Sequence, residues 1–252
     1  MKILLPPSET KRPGGDGPPL DMSSLAFPSL HAHRTVVIDA LVALSADEEK
    51  SRRVLKLSAR QVADVVHNRM LLSAPTMPAI DRYTGVLFDA LDARSLSTTS
   101  RRWLGDHVWI HSAPFGPVRA LDGIPPYRLA AGTSLPGMVA MRRHWAEATS
   151  SALAEAAPAF VLDLRSEAYV GLGAIPGSIR SAYVRVVTDD GDGGVRALNH
   201  FNKKTKGQLV RALAESRARI GSLRSLLTWA SRNGFVIRRT PDADVLELVV
   251  VD

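Results

Sequence analysis

Short runs of apolar residues, bounded by proline, glycine or charged residues, recur along the chain and predict buried β-strands. One run, KILL, occupies 2–5, and another, FVLDL, occupies 160–164. The segment 183–201 carries a turn-forming stretch at 189–194, which predicts a β-hairpin. Further strands are predicted over 107–113, 235–238 and 245–251.

Apolar residues at helical spacing predict amphipathic helices between these strands. The segments 78–93 and 137–157 have this period, and so does the basic segment 203–219. Ser45 and Glu48 have the spacing of a capping box, and Ser222 marks a further helix start. Because strands and helices mix without a regular βαβ repeat, the chain is predicted to form one compact α+β (mixed α/β) domain over 1–252.

The composition is that of an ordinary globular protein, with 45% hydrophobic and 23% charged residues. The lack of cysteine excludes disulfides, thiol nucleophiles and zinc–thiolate or iron–sulfur sites. The apolar run within 1–11 is too short for a signal peptide, and no segment has the length of an apolar membrane span. We therefore expect a cytoplasmic protein without a membrane partner. The Pro/Gly-rich segment 6–22 predicts a mobile loop.

Charge is distributed unevenly along the chain. The formal net charge is +7, from 32 Lys and Arg and 25 Asp and Glu. The segment 201–240 holds ten basic side chains and one acidic one, Glu215, so it carries +9 while the rest of the chain carries −2. Such a basic excess is expected of a protein with a polyanionic partner, although an arginine-rich solvated surface would give the same count.

Four segments resemble, in order, the motifs of one known family. They are YTGVLFDALD at 83–92, HVWIHSAPFGPVRALDGIPPYRLAAG at 107–132, VLDLRSEAYV at 161–170 and FNKKTKGQLVRALA at 201–214. The family is that of the YaaA peroxide-stress proteins, and the resemblance covers the whole chain. The start departs from the family's Ser-Pro-Ala-Lys-Thr, because PPSET places Glu9 where a lysine is expected, and Lys11 supplies a cation two residues later.

The resemblance implies a domain of unusual topology with a basic cleft and a helix-hairpin-helix element. It also implies DNA binding, and protection of DNA and protein from iron-driven oxidation when peroxide accumulates. We expect no obligate cofactor. Two short stretches, LPGM at 135–138 and IPGS at 176–179, resemble the hairpin of helix-hairpin-helix proteins. Without cysteine the protein cannot consume peroxide through a thiol, so its protection must be indirect.

Lysines are concentrated at a predicted helix start, NKKTKG at 202–207. Lys203, Lys204 and Lys206 are predicted to bind phosphate there, because the free N–H groups of a helix start already favour an anion. Arg211, on the same helix, is predicted to face outward and is a further phosphate candidate. Glu215, four residues on, can neutralise part of its charge.

A proline-rich loop at 114–128 is predicted to have a rigid path. Arg119 and Arg128 on this loop can form paired hydrogen bonds to phosphate or carboxylate, and a rigid loop loses little entropy on binding. The alternative is that Arg128 pairs with Asp122 within the protein.

Aromatic and hydroxyl groups accompany these arginines. Phe115 and Tyr127 are predicted to stack on unpaired bases, so the expected DNA partner is unpaired or distorted. The alternative for Tyr127 is a place in the core. Tyr83 and Thr84 are predicted to add hydroxyl groups to the same cleft. The alternative for Tyr83 is half-buried packing on an amphipathic helix.

Two candidate catalytic residues, Ser166 and Glu167, follow the predicted strand 160–164, where binding residues are often presented. Glu167 is a possible acid or base in an enzyme acting on a nucleobase or nucleotide, the alternative to a pure DNA-binding protein. In the simpler interpretation, Ser166 caps a turn and Glu167 borders a DNA groove. The enzyme hypothesis requires a closed pocket for a small nucleotide-like ligand, shared by five residues. They are Tyr83, Arg128, Ser166, Glu167 and Lys203.

Histidines give no metal signal. His107 and His111 share one face of a strand or helix, but no nearby carboxylate or third ligand completes a site. No metal is therefore predicted.

Overall fold

The computed structural model describes residues 1–190, 194–196, 199–242 and 244–250. Its strands come from both ends and the middle of the chain, and most of them join one sheet. In chain order they are β1 (Lys2–Leu5), β2 (Met77–Pro78), β3 (Val108–Ser112), β4 (Gly116–Arg119), β5 (Gly123–Ile124), β6 (Val161–Asp163), β7 (Ser181–Asp190), β8 (Gly194–Arg196), β9 (Val236–Arg239) and β10 (Val245–Val250).

Helices fill most of the segments between the strands. They are α1 (His31–Leu44), α2 (Glu48–Val54), α3 (Val65–Arg69), α4 (Ala79–Arg82), α5 (Val86–Leu91), α6 (Thr98–His107), α7 (Met141–Ala156), α8 (Glu167–Val170), α9 (Asn199–Glu215) and α10 (Leu223–Arg232). No helix in the described part of the chain is both long and apolar enough to cross a membrane.

The main sheet is parallel in its centre and antiparallel at its edges. Its order is β4-β3-β1-β6-β7-β10-β9, and β8 pairs with β7 away from this path. Strands β3, β1, β6, β7 and β10 run parallel to one another, whereas β4 and β9 add antiparallel edges. β2 and β5 form a separate small pair. The predicted mixed α/β class is confirmed.

Helix α9 shows how the core is built. Leu209 and Leu213 are fully buried and Ile220, just beyond the helix, is nearly so, which confirms the predicted apolar stripe. The helix packs closely on α5 at Gly207, where an added Cβ would lie 2.2 Å from the carbonyl oxygen of Leu87. α9 also begins at Asn199 rather than at 203, so the three lysines lie beyond its first turn.

Two predicted helical features differ in the structure for local backbone reasons. The segment 78–93 is not one helix, because Gly85 adopts a φ of +95° and separates α4 from α5. Ser45 does not cap α2. It ends α1, and Asp47 caps α2 by accepting a hydrogen bond from the backbone N–H of Lys50 at 2.9 Å.

The structure agrees with the predicted β-hairpin but not with the two stretches that resemble the hairpin of a helix-hairpin-helix element. β7 and β8 pair antiparallel, as the hairpin prediction requires, while 191–193 of its predicted turn lie outside the described residues. Neither LPGM nor IPGS joins two helices: the first follows β5 and precedes α7, and the second lies between α8 and β7. These two stretches are therefore not the hairpin of a helix-hairpin-helix element.

Hydrogen bonds attach the segment 6–22, predicted to be mobile, to the rest of the domain. Arg12 donates its backbone N–H to the carbonyl of Arg82 at 2.8 Å, and Gly17 donates to Thr76 at 3.0 Å. The Arg82 guanidinium returns hydrogen bonds to the carbonyls of Arg12 and Gly14. This segment thus has a defined path across the domain.

The close approach at Gly207 predicts a selective loss of stability. Gly207→Ala should lower the free energy of unfolding by about 1–3 kcal/mol, because a Cβ must push α9 away from α5. Gly221→Ala is the matched control, since no atom lies within 4 Å of a Cβ added there. Urea unfolding of both variants measures the difference. Equal stability of the two variants would contradict the packing described here.

Candidate functional site

The order of the strands locates a candidate site at the carboxyl ends of β1 and β6. The chain passes from β1 to β3 on one side, and β6 pairs later with the other side of β1. In open α/β sheets, ligands bind in the crevice outside the strand ends where the order reverses in this way. The segments that leave these strand ends are 6–10 and 164–166.

Three adjoining cavities form a groove along this edge of the sheet. Their volumes are about 500, 570 and 630 Å³, and we call them the first, middle and third cavities. Glu9 and Leu129 border both the first and the middle cavities. Pro6, Ser166 and Lys203 border both the middle and the third.

Lys11 lies in the wall of the first cavity, with its ammonium group turned inward. Nζ donates to the carbonyls of Ser8 at 3.0 Å and Glu9 at 3.2 Å, and it lies 4.0 Å from the centroid of the Tyr127 ring. Burial, together with the positive charge of Arg128, lowers the pKa of Lys11 to about 7. Lys11 thus ties the loop after β1 to the aromatic core.

Acidic residues surround the guanidinium of Arg128 at the first cavity. Its Nη2 lies 3.1 Å from Glu9 Oε2, its Nη1 donates to the Glu9 carbonyl, and Asp64 Oδ2 lies 3.9 Å away. Asp122 accepts hydrogen bonds from backbone N–H groups elsewhere, so the alternative in which Arg128 pairs with Asp122 is wrong. Glu9, which reverses the charge expected at its position, therefore balances Arg128.

The aromatic residues predicted to stack on bases belong to the core instead. Phe115 is 0% and Tyr127 3% exposed, and the two rings pack edge to face 5.5 Å apart. The Tyr127 hydroxyl lies 2.8 Å from that of Tyr83 and accepts a hydrogen bond from Ser112. Burial raises the pKa of Tyr83 to about 12, and it raises the pKa of Tyr127 well above its usual value. The stacking prediction is wrong because neither ring face is accessible, and the core alternative for Tyr127 is confirmed.

The middle cavity is walled mainly by apolar residues and hydroxyl groups. Thr84 borders it, as the sequence predicts, whereas Tyr83 lies beneath it. The backbone N–H of Thr84 donates to the Thr10 carbonyl, and the Thr10 hydroxyl donates to the Thr84 carbonyl at 3.3 Å. These bonds hold the loop after β1 against the start of α5.

The third cavity combines both candidate catalytic residues with cations. Ser166 precedes α8 at its N-cap position, and both it and Glu167 are exposed at the cavity wall. Lys203 is exposed on the same wall, whereas Lys206 is only 5% exposed. Lys206 donates to the carbonyl of Leu164 at 3.1 Å, and burial lowers its pKa to about 8. Lys206 is thus a buried cation at the cavity wall rather than an exposed surface lysine.

The remaining predicted phosphate-binding residues lie apart from the groove. Arg119 is exposed on β4 opposite Trp109, near the amino end of β3, so it is separated from the strand ends at the groove. Arg211 pairs with Glu215 at 2.9 Å and donates to the carbonyl of Leu91 at 3.1 Å, so it ties α9 to the end of α5. Lys204 is exposed but borders none of the three cavities.

The five residues required by the enzyme hypothesis do not share a pocket. Arg128 borders only the first cavity, and Glu167 only the third. Ser166 and Lys203 border the middle and third cavities, and Tyr83 borders none of the three. The groove is open, so the convergence expected of a closed active site is absent from the described residues.

A buried ion pair that the sequence analysis did not single out holds the end of β6. Arg165 is fully buried and binds Asp163 through Nε at 2.9 Å and Nη2 at 2.7 Å. Its Nη1 reaches Nδ1 of His111 and the carbonyl of Gly173. The signal in the sequence is an acid and an arginine two residues apart at the end of a buried strand. Here they fix the strand end that carries Ser166.

The two histidines considered as metal ligands, His107 and His111, take part in packing and hydrogen bonding within the domain. Burial and the neighbouring Arg165 lower the pKa of His111 well below its usual value, and the ring of His107 stacks on Trp103. Among the residues that the structure describes, no group of three or more His, Cys, Asp or Glu side chains could hold a metal ion.

Comparison with known proteins gives the family. Residues 1–240 match the family model described as peroxide stress protein YaaA. The chain belongs to this family. It is 47% identical over 220 residues to a UPF0246 protein of Corynebacterium efficiens, covering 86% of each chain. It is 40% identical over 255 residues to one of Corynebacterium glutamicum, covering 99% of this chain and 100% of the relative. A UPF0246 protein of Streptomyces coelicolor is 44% identical over 217 residues, covering 84% and 82%.

The depressed pKa of Lys11 predicts a pH-dependent contribution to stability. Between about pH 7 and 10 the folded protein holds this amine neutral while the unfolded chain still binds the proton, so stability rises with pH. The difference in free energy of unfolding between the parent and Lys11→Met should therefore increase by about 1.4 kcal/mol per pH unit in this range. Below about pH 7 the difference should be constant.

Lys56→Met controls for the loss of one positive charge, because Lys56 is an exposed lysine on the wall of the same cavity. Urea unfolding from pH 6 to pH 10 measures all three proteins. A parent–Lys11→Met difference that does not change with pH would show that Lys11 titrates normally in the folded state.

Proposed function

We propose that this chain is a DNA-binding protein of peroxide stress, and that it binds DNA through an arginine surface formed by α10, β9 and the loop before α10. The single observation that carries the proposal is the charge of the segment 216–241, which contains six arginines and no acidic residue. A patch of one sign on one region of the protein is typical of a surface that binds a polyanion. The arginines are Arg217, Arg219, Arg224, Arg232, Arg238 and Arg239.

The geometry of α10 supports this surface. Arg224, Thr228 and Arg232 follow one another at intervals of four, so they share one face of the helix, and all three are exposed. They border a shallow depression of about 410 Å³ beside Trp229. Within the described part of the chain, neither Arg224 nor Arg232 has an acidic partner, so both can bind phosphates without breaking an ion pair.

Trp229 gives the surface a fixed base. Its ring stacks on Phe235 with centroids 5.7 Å apart, and its Nε1 donates to the Ser216 hydroxyl at 3.1 Å. These contacts join α10 to β9 and to the end of α9. A surface fixed before binding loses less entropy when it binds.

The helix pair α9–α10 is our candidate for the helix-hairpin-helix element implied by the family resemblance. The two helices are joined by residues 216–222, and Ser222 and Ser225 cap α10 reciprocally. Because the aromatic rings of Phe115 and Tyr127 are buried, we expect this element to bind the backbone of duplex DNA rather than unpaired bases. Lys204, exposed on α9 and outside the three cavities, remains an additional candidate.

The enzyme alternative has less support than DNA binding. Its acid or base, Glu167, and one of its proposed anion holders, Arg128, border different cavities, and Arg128 is already paired with Glu9. We therefore place the groove outside the proposed DNA surface and assign it no reaction.

We propose further that DNA binding limits iron-driven damage by shielding the backbone. Family membership supports the link to peroxide, and the absence of cysteine supports an indirect mode of protection. The cytoplasmic location expected from the sequence is part of this proposal.

Salt dependence tests the arginine surface. The slope of log K against log salt for duplex DNA should become shallower by about 0.9 for each phosphate that the protein no longer neutralises, so Arg224→Ala with Arg232→Ala should reduce it by about 1.8. Arg119→Ala is the control, because this exposed arginine lies on β4 at the opposite edge strand of the sheet. Fluorescence anisotropy over a series of salt concentrations gives each slope. An unchanged slope in the double variant would exclude α10 as the phosphate-binding element.

Strand breakage tests the protective role. Supercoiled plasmid exposed to ferrous iron and hydrogen peroxide should be nicked more slowly in the presence of the parent protein. The Arg224→Ala, Arg232→Ala variant should protect less, and Arg119→Ala should protect as well as the parent. Gel electrophoresis of the nicked form measures the rate. Equal protection by the double variant and the parent would show that protection does not depend on DNA binding at α10.

A further inference from the structure

The third cavity contains more positive charge than its neighbours neutralise. Lys203, Lys206 and Arg185 border it together with one carboxylate, that of Glu167, while Glu247 lies opposite Arg185 on β10 and outside the cavity wall. Within the described residues, neither Lys203 nor Arg185 has an acidic partner in an ion pair. The nearby acid Asp163 is already bound by both nitrogens of the Arg165 fork. The cavity therefore carries a local excess of cationic groups.

Among these cations, Lys206 gives the clearest indication that the cavity accepts an anion. Its side chain is part of the cavity wall although the residue is only 5% exposed. An ammonium group has three N–H donors, and within the described residues this one donates a single hydrogen bond, to the Leu164 carbonyl, and lies 5.8 Å from the centroid of the Tyr183 ring. A buried ammonium group with unused donors is costly unless an acceptor completes its shell. The cavity beside it has room for such an acceptor.

The charge balance selects the kind of anion. Three cations facing one carboxylate match a dianion, and a phosphate monoester is the common biological dianion of this size. Its oxygens accept several hydrogen bonds at once, which suits two lysines and an arginine around one cavity. Tyr183 and Asn202 on the same wall offer further polar groups.

The lining of the adjoining middle cavity indicates which organic group would be attached to the phosphate. Apolar walls from Pro7, Leu87 and Phe88 suit a planar ring system, and hydroxyl groups of Thr84 and Ser166 suit a sugar. Ser166 and Lys203 border both cavities, so one ligand can extend from one into the other. The volumes, about 570 and 630 Å³, are those of small-molecule sites.

We infer that the middle and third cavities bind a nucleoside monophosphate, with the phosphate held by Lys203, Lys206 and Arg185 and the nucleoside in the middle cavity. The site lies at the carboxyl ends of β1 and β6, whereas the arginine surface lies on α10 and β9. It is therefore a small-molecule site additional to the proposed DNA surface and does not depend on it.

Calorimetric titration with adenosine 5′-monophosphate tests this site. The parent should bind this nucleotide more tightly than either adenosine or inorganic phosphate, because each of those fills only one cavity. Lys203→Ala should weaken binding about tenfold, the effect expected of removing one charge-assisted hydrogen bond. Lys204→Ala is the matched control: it removes the same charge from the adjacent position on α9, borders neither cavity, and should change affinity less than about twofold.

Several outcomes would overturn the inference. They are no nucleotide binding by the parent at millimolar concentration, equal losses in Lys203→Ala and Lys204→Ala, and binding of adenosine as tight as that of the nucleotide. Arg185→Ala gives a second variant at the exposed wall, and thermal unfolding of each variant confirms that it is folded. Like Lys203→Ala, it should weaken nucleotide binding, and unchanged affinity in both would exclude the phosphate position.

A DNA arm distinguishes the two sources of a phosphorylated nucleoside. The same variants are titrated with a gapped duplex carrying a 5′-phosphate. If Lys203→Ala weakens binding of this DNA and leaves binding of the free nucleotide unaffected, the ligand is a DNA terminus and the inference is overturned. Arg224→Ala with Arg232→Ala should leave nucleotide affinity unchanged, so failure of the DNA proposal and failure of this one are distinguishable.

Discussion

Long loops cross this domain, and their backbone carbonyls need hydrogen-bond donors wherever water is excluded. Three fully buried arginines meet this constraint: Arg34, Arg82 and Arg165. Arg82 alone binds four carbonyls, from three different segments of the chain. A guanidinium group suits this role because it presents five N–H donors in one plane. Burying the charge is costly, but removing it would leave several carbonyls unpaired at once.

These interior cations determine the shape of the groove. Arg165 fixes the end of β6 and so the position of Ser166, while Arg82 fixes the segment that carries Lys11. Lys11 in turn lies against the Tyr127 ring. The loop parts of the groove wall, within 6–11 and 164–166, are therefore held by buried charge, while α5, α8, α9 and β7 supply the rest of the wall. This explains how an irregular segment such as 6–22 can form part of the wall of the candidate site.

Local patterns in the sequence are enough to predict most strands, because short apolar runs such as 2–5 and 160–164 have few alternatives to burial. They are not enough for the segment 78–93, where one glycine at positive φ divides the helix. The four motifs carry more information than the hydrophobic pattern, because they are enough to identify the family. They do not say which residues of a motif are exposed.

The candidate site is predicted only in part for the same reason. Ser166, Glu167 and Lys203 are found from their place after a strand or on a basic helix, and they do border one cavity. Phe115 and Tyr127 are aromatic residues of a proline-rich loop, as expected of residues that stack on bases, but both are buried. Arg128 pairs with Glu9, which lies 119 residues away in the sequence. Pairings over such distances depend on the fold and leave no local signal.

At the far edge of the sheet, β9 has a strand neighbour on one side only among the described residues, and exposed Arg238 and Arg239 lie on it. Like charges on an open strand repel a second copy of that strand. The same arginines that give this region its charge therefore also oppose aggregation through pairing of the β9 edge strands of two molecules.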